Sequence, residues 1–228
     1  MKRTLKCMSA LLGYPSAELQ AAIGEIRHAL ADEGALPVAS LRRLEPLLRT
    51  LETEDLLELQ GAYTGLFDGS RSLSLHLFEH VHGESRERGQ AMIDLGQQYI
   101  ANGFAIDANE LPDFVPLFLE FLSFLEPAAA RDWLGQPAHV FTALGERLVE
   151  RKSPYAAVFE ALLALPKAKA DPDALAALRA RMAAAEAEPI DETWEEAPIS
   201  FSTPAGRPGG AGGKSGGITA KIRMALKR

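Results

Sequence analysis

The sequence predicts an all-α fold: a single compact multi-helix domain followed by a disordered C-terminal tail. Three observations carry that prediction. From Thr4 to about Pro166 the apolar residues recur at helical spacing, with polar residues between them. The stripes are closed by Gly- and Pro-containing stops, and alternating β-branched runs bounded by turns are missing. After about 188 the composition shifts to an acidic cluster, then GRPGGAGGKSGG and a short basic end, which cannot bury enough apolar surface to fold alone.

The elements follow in chain order. MKRTLKCMSALLGYP begins with Lys2, Arg3 and Lys6 before an apolar stretch, as a signal peptide would. The run is short, Lys6 interrupts its approach, and no small-x-small cleavage site follows, so it reads as a first helix ended by Gly13–Tyr14–Pro15. Cys7 has no second cysteine to bridge with, and its neighbours Leu5, Met8, Leu11 and Leu12 mark it as a small core residue. Leu19, Ile23, Ile26 and Leu30 form the next stripe, stopped by Gly34 to Pro37. Thr53-Glu54-Asp55 supplies a cap and acids for a helix carrying Leu56, Leu59, Tyr63 and Leu66–Phe67, stopped at Asp68–Gly69. Ser85 is the expected cap of a helix bearing Met92, Leu95, Tyr99 and Ile100.

Leu111–Leu125 has little polar face, which predicts a central helix surrounded by others, with Pro112 and Pro116 in its first turn. Val140, Phe141, Leu144 and Leu148 make a further stripe. Asp171-Pro172-Asp173 places proline at the first position of an Ala-rich helix over about 172–187. Poor in large apolar residues, it is expected to pack weakly or to project. The domain division is thus 1–187, with the body reaching about 166, and a tail over 188–228.

Bulk properties narrow the function. A net charge of −7 over 228 residues argues against a nucleic-acid binder and favours neutral or basic partners. No apolar run approaches the roughly 20 residues of a membrane span, so a soluble, cytoplasmic protein without stable membrane insertion is expected.

Two motifs suggest chemistry. His76-Leu77-Phe78-Glu79-His80 has the H-x-x-E-H spacing of inverted zinc peptidases. On a helix His76 and His80 share a face, as two zinc ligands must, and Glu146 or Glu150 would supply a third. Against this reading, the helix meets Gly83 directly after His82, and no substrate loop or second domain is apparent. Gly210-Ala211-Gly212-Gly213-Lys214-Ser215 ends like a phosphate-binding loop, but Pro208 stands where the first glycine belongs and no buried strand precedes it.

The stretch LSLHLFEHVHGESRERGQAMIDL, residues 73–95, resembles the most characteristic segment of the NarJ family of redox-enzyme chaperones. QQYIANGF, ELPDFVPLFLEFLSFL, LLGYPSAEL and TEDLLELQGAYTGLFDGSRSLSLHLFEH are similar to that family too, so the likeness spans roughly residues 5–165. It implies a non-enzymatic assembly chaperone for respiratory nitrate reductase. Such a protein binds the N-terminal segment of the catalytic (alpha) subunit apoprotein, supports molybdenum cofactor insertion and delays membrane docking. It implies no catalytic residue, metal or resident cofactor. In the wider superfamily a Pro-Asp-His motif begins a central helix; here Pro112 and Asp113 match, and Phe114 replaces the histidine. Asp113 then either caps its helix or faces a basic group on the peptide.

A peptide helix lays its apolar face in a groove between helices, with charges at the rim. Candidate groove residues are Phe67, Leu75, Leu77, Phe78, Phe114, Phe118 and Phe121, with Glu79, Asp113 and Glu120 as an acidic rim. Each aromatic has the alternative of being plain core.

Overall fold

A computed structural model describes residues 1–83, 85–104, 106, 110–166 and 169–187, excluding the side chains of 185–187. The expected tail, 188–228, and the glycine-rich segment within it lie outside these residues. The described residues hold eleven α-helices: α1 Lys2–Leu12, α2 Ala17–Glu33, α3 Val38–Thr53, α4 Leu56–Phe67, α5 Leu77–His82, α6 Glu87–Ala101, α7 Val115–Phe124, α8 Pro127–Gly135, α9 Ala138–Glu150, α10 Ala156–Ala164 and α11 Pro172–Ala187. A single 3-10 turn, Arg71–Leu73, follows α4. The all-α prediction holds.

Helix α7 is largely buried, as its apolar sequence requires. Val115, Phe118, Leu119, Phe121 and Leu122 are all buried, and α1 packs along it with Leu5, Met8, Leu11 and Leu12. Cys7 sits on the same buried side of α1, where burial pushes its thiol up. Helices α2 and α3 interlock through Ile23, Ile26 and Leu30 against Leu44, Leu47, Leu48 and Leu51. Helices α9 and α10 form the other tight pair, with Phe141 and Phe159 ring to ring at 5.9 Å.

Capping departs from the sequence expectation in three places. Asp55, not Thr53, caps α4, accepting from the Leu57 and Glu58 amides, while Thr53 closes α3. Ser85 does not cap α6; the helix begins at Glu87 with no side-chain cap. Pro116 lies in the first turn of α7, but Pro112 precedes the helix. A further cap comes from a distant helix. Helix α1 has no cap of its own, and Glu33 at the end of α2 accepts from the Thr4 amide at 2.7 Å, the Arg3 amide at 3.1 Å and the Thr4 hydroxyl at 2.6 Å.

Of the two expectations for the Ala-rich helix, packing weakly or projecting, the structure shows packing, on a narrow stripe. Helix α11 buries Leu175, Leu178 and Met182 against α9 and the 3-10 turn. These three residues recur at i, i+3 and i+7, enough for one narrow stripe. Among the described residues no helix is long and apolar enough to cross a membrane.

Candidate functional site

The site is built where two short connecting segments meet. Between the 3-10 turn and α5 the chain bends at Leu75 and is extended at His76; before α7 a turn through Pro112 and Asp113 leads to an extended Phe114. The two segments pair as an isolated antiparallel bridge between His76 and Phe114. The Leu77 amide donates to the Asp113 carbonyl at 3.0 Å, and the Val115 amide to the Leu75 carbonyl at 2.8 Å.

Asp113 organises this junction. Its carboxylate is fully buried and accepts from the Phe78 amide at 2.9 Å and from His76 Nδ1 at 3.3 Å. Phe78 is the second residue of α5, whose own cap position, His76, contributes no side-chain bond. Asp113 therefore caps α5 from across the bridge, satisfying a first-turn amide that would otherwise be unpaired. The sequence reading offered a cap on its own helix or a partner for a basic peptide group; the carboxylate is turned to neither. The hydrogen bond to Asp113 raises the His76 pKa above its usual value, outweighing the opposite effect of partial burial.

His80 is tied down differently. Its Nε2–H donates to the Ser74 carbonyl at 2.7 Å, and burial lowers its pKa. His76 precedes α5 in an extended conformation, so the two imidazoles do not share a helical face as the zinc motif requires. Glu146 is engaged by Arg179 and Glu150 by Arg147. Among the described residues no three His, Cys, Asp or Glu side chains are placed to hold a metal ion.

A cleft of about 340 Å³ opens beside the bridge. Tyr14, Tyr63, Phe67 and Phe114 supply aromatic walls, Leu75 an aliphatic one, and His76, Asp68 and Glu110 the polar groups. Tyr63 is fixed by its hydroxyl donating to the Leu12 carbonyl at 2.7 Å and by edge contact with Tyr14 at 5.5 Å. Phe67 lies 4.8 Å from Tyr63, and Phe114 lies 5.3 Å from the His76 ring. Asp68 and Glu110 are exposed. An aromatic cleft with two carboxylates suits an apolar segment that carries a cation, through desolvated ring contact and cation–π attraction.

Of the residues expected in a groove, the structure brings Phe67, Leu75 and Phe114 together here, with Asp113 behind them. Leu77, Phe118 and Phe121 are buried in the core; Phe121 faces Tyr99, Phe104 and Trp133. Phe78 is half-buried against His82, Glu79 pairs with Arg88 at 3.0 Å in a separate cavity, and Glu120 is exposed on α7. Sequence reasoning missed Tyr14, Tyr63, Asp68 and Glu110. Tyr14 and Asp68 had stood in helix stops, a signal for a turn and not for a site.

The model of the nitrate reductase delta subunit family matches residues 15–161, which include every residue of the cleft except Tyr14. The chain belongs to that family. A nitrate reductase molybdenum cofactor assembly chaperone NarJ of Escherichia coli K12 is 41% identical over 198 residues, covering 86% of this chain and 84% of that protein. A probable NarJ chaperone of Bacillus subtilis 168 is 31% identical over 167 residues, covering 71% and 86%. The crystal structure of a putative redox enzyme maturation protein from Archaeoglobus fulgidus superposes with a TM-score of 0.50 at 24% identity, over 71% of this chain and 91% of that one, a likeness of fold alone. Like these delta-family relatives, the protein is an assembly chaperone and not an enzyme.

Proposed function

We propose that the protein is the private chaperone of a respiratory nitrate reductase, acting in the cytoplasm on the catalytic subunit before that subunit is complete. In this reading it binds the subunit's N-terminal segment, supports molybdenum cofactor insertion and delays docking to the membrane anchor. The partner kind is supported by the names of the similar proteins, two of which are nitrate reductase molybdenum cofactor assembly chaperones. The observation that carries the binding mode is the cleft itself: the exposed Tyr14 ring and the half-buried Phe114 ring, backed by the buried Tyr63 and Phe67, with two exposed carboxylates on a protein of net charge −7. Such a surface attracts a basic, amphipathic segment and holds it mainly by apolar contact, since a buried Phe or Leu contributes roughly 1.5–3 kcal/mol and an exposed ion pair about 0–1 kcal/mol.

Co-purification tests it. The chaperone should retain the apoprotein catalytic subunit and lose it when that subunit's N-terminal segment is deleted. Equal retention of both forms would place recognition elsewhere on the subunit.

A further inference from the structure

Helix α11 sits in a groove that it does not fill. Its buried contact with the body is limited to Leu175, Leu178 and Met182; the other described side chains of the helix are exposed or, at Ala174, half-buried. On one side of the stripe a cavity of about 250 Å³ remains between Leu178, Arg181, Met182 and the Glu79–Arg88 region. On the other side about 300 Å³ remains between Met182, Ala183 and the α9 face bearing Ala143 and Glu146. Native interiors are close-packed, and voids of this size forfeit dispersion contacts along their walls. On the α9 side Ala183 thus borders space that a larger side chain would occupy.

The groove also carries acceptors matched to cations. Arg179 Nε donates to Glu146 on α9 at 2.8 Å. Arg181 donates to the carbonyls of His80 and Val81, at the C-terminal end of α5, where unpaired carbonyls favour positive charge. One helix with a narrow apolar stripe and two arginines is seated there, so the groove accepts an amphipathic basic helix.

We infer that the seat of α11 is a second docking groove of the chaperone, taken by a bulkier amphipathic, basic helix of the client when α11 lifts out. This rests on the proposed function, because the client is the catalytic subunit's N-terminal segment. Helix α11 is the intramolecular stand-in: its alanines keep it helical, while its three apolar anchors hold it loosely enough to be displaced. The client's affinity is then reduced by the fraction of molecules in which α11 is seated.

Full-length variants test this in opposite directions, with a fluorescent peptide copied from the N-terminus of the cognate catalytic subunit as probe. Ala183→Leu fills space beside α9, seats α11 more firmly and should weaken binding by about threefold or more. Leu178→Ala loosens α11 and should tighten binding by about tenfold. Amide exchange within 172–184 should be faster in Leu178→Ala than in the wild type, and should rise in the wild type on peptide addition. Equal affinity in all three proteins, with unchanged exchange in α11, would overturn the second groove and leave the aromatic cleft standing. No saturable binding by any of them would overturn the proposed function and this inference with it.

Discussion

His76 and Asp113, 37 residues apart, meet at 3.3 Å beside the isolated bridge that joins the segments before α5 and α7. The same carboxylate caps α5 through the Phe78 amide. One buried acid thus fixes a helix start, a histidine ring and the wall of a cleft together.

Removing that acid should loosen all three. Asp113→Ala leaves the Phe78 amide and His76 without their acceptor and should cost about 1–3 kcal/mol. Asp113→Asn keeps an acceptor for the amide and should cost less. Urea denaturation of both variants orders them; equal, negligible losses would deny the carboxylate its capping role.

The His76 bond predicts a pH signature. Its folded pKa is raised, so its stabilisation is complete below the unfolded value of about 6.5 and is lost as pH rises through the folded value. The stability gap between wild type and His76→Gln should therefore narrow from pH 6 upward (roughly the lower edge of this window). His80 carries the opposite sign: buried neutral, it favours the fold above about 6.5 and loses that contribution as pH falls. A gap for His76→Gln that widens with pH would contradict the assignment.

Glu33 predicts an acid-side effect. Burial alone would raise its pKa, but hydrogen bonds from the N-terminal ammonium, the Thr4 hydroxyl and amide, and the Arg3 amide outweigh burial and hold it at about 2. Its contribution is present above the unfolded value of about 4.3 and is lost as pH falls toward the folded one. Glu33→Gln should cost about 1–3 kcal/mol at neutral pH, and the two proteins should converge as acid is added. Parallel pH–stability curves would rule out the cap on α1.

How far these relationships could be read from the sequence depends on their range. The helices were legible because their signals are local: apolar period, proline and glycine. Leu111–Leu125 revealed a buried helix, Val115–Phe124, because it lacks a polar face. The caps of α1 and α5 were not legible, since Glu33 and Asp113 act across 29 and 35 residues. The cleft was half legible. Phe67, Leu75 and Phe114 stand out in the sequence as large apolar residues, but Tyr14, Asp68 and Glu110, in segments that resemble the family equally, join them only through folding. His76 and His80 mislead because a five-residue pattern assumes a helix that in fact begins one residue later.

Core and cleft aromatics should separate in experiment. Phe118→Ala and Phe121→Ala empty buried positions, so each should cost about 3–5 kcal/mol of stability. Phe114→Ala, at a half-buried cleft position, should leave the fold far less affected. Thermal melts of the three variants check this order, and a Phe114→Ala melt as low as the other two would make Phe114 part of the core.

Calorimetric titration of wild type and Phe114→Ala with a peptide copied from the N-terminus of the cognate catalytic subunit tests the central claim most directly. The cleft predicts saturable binding in the wild type and a loss of about tenfold or more in the folded variant, corresponding to one buried apolar contact of roughly 1.5–3 kcal/mol. Unchanged affinity in Phe114→Ala, or no saturable binding by the wild type, would contradict it.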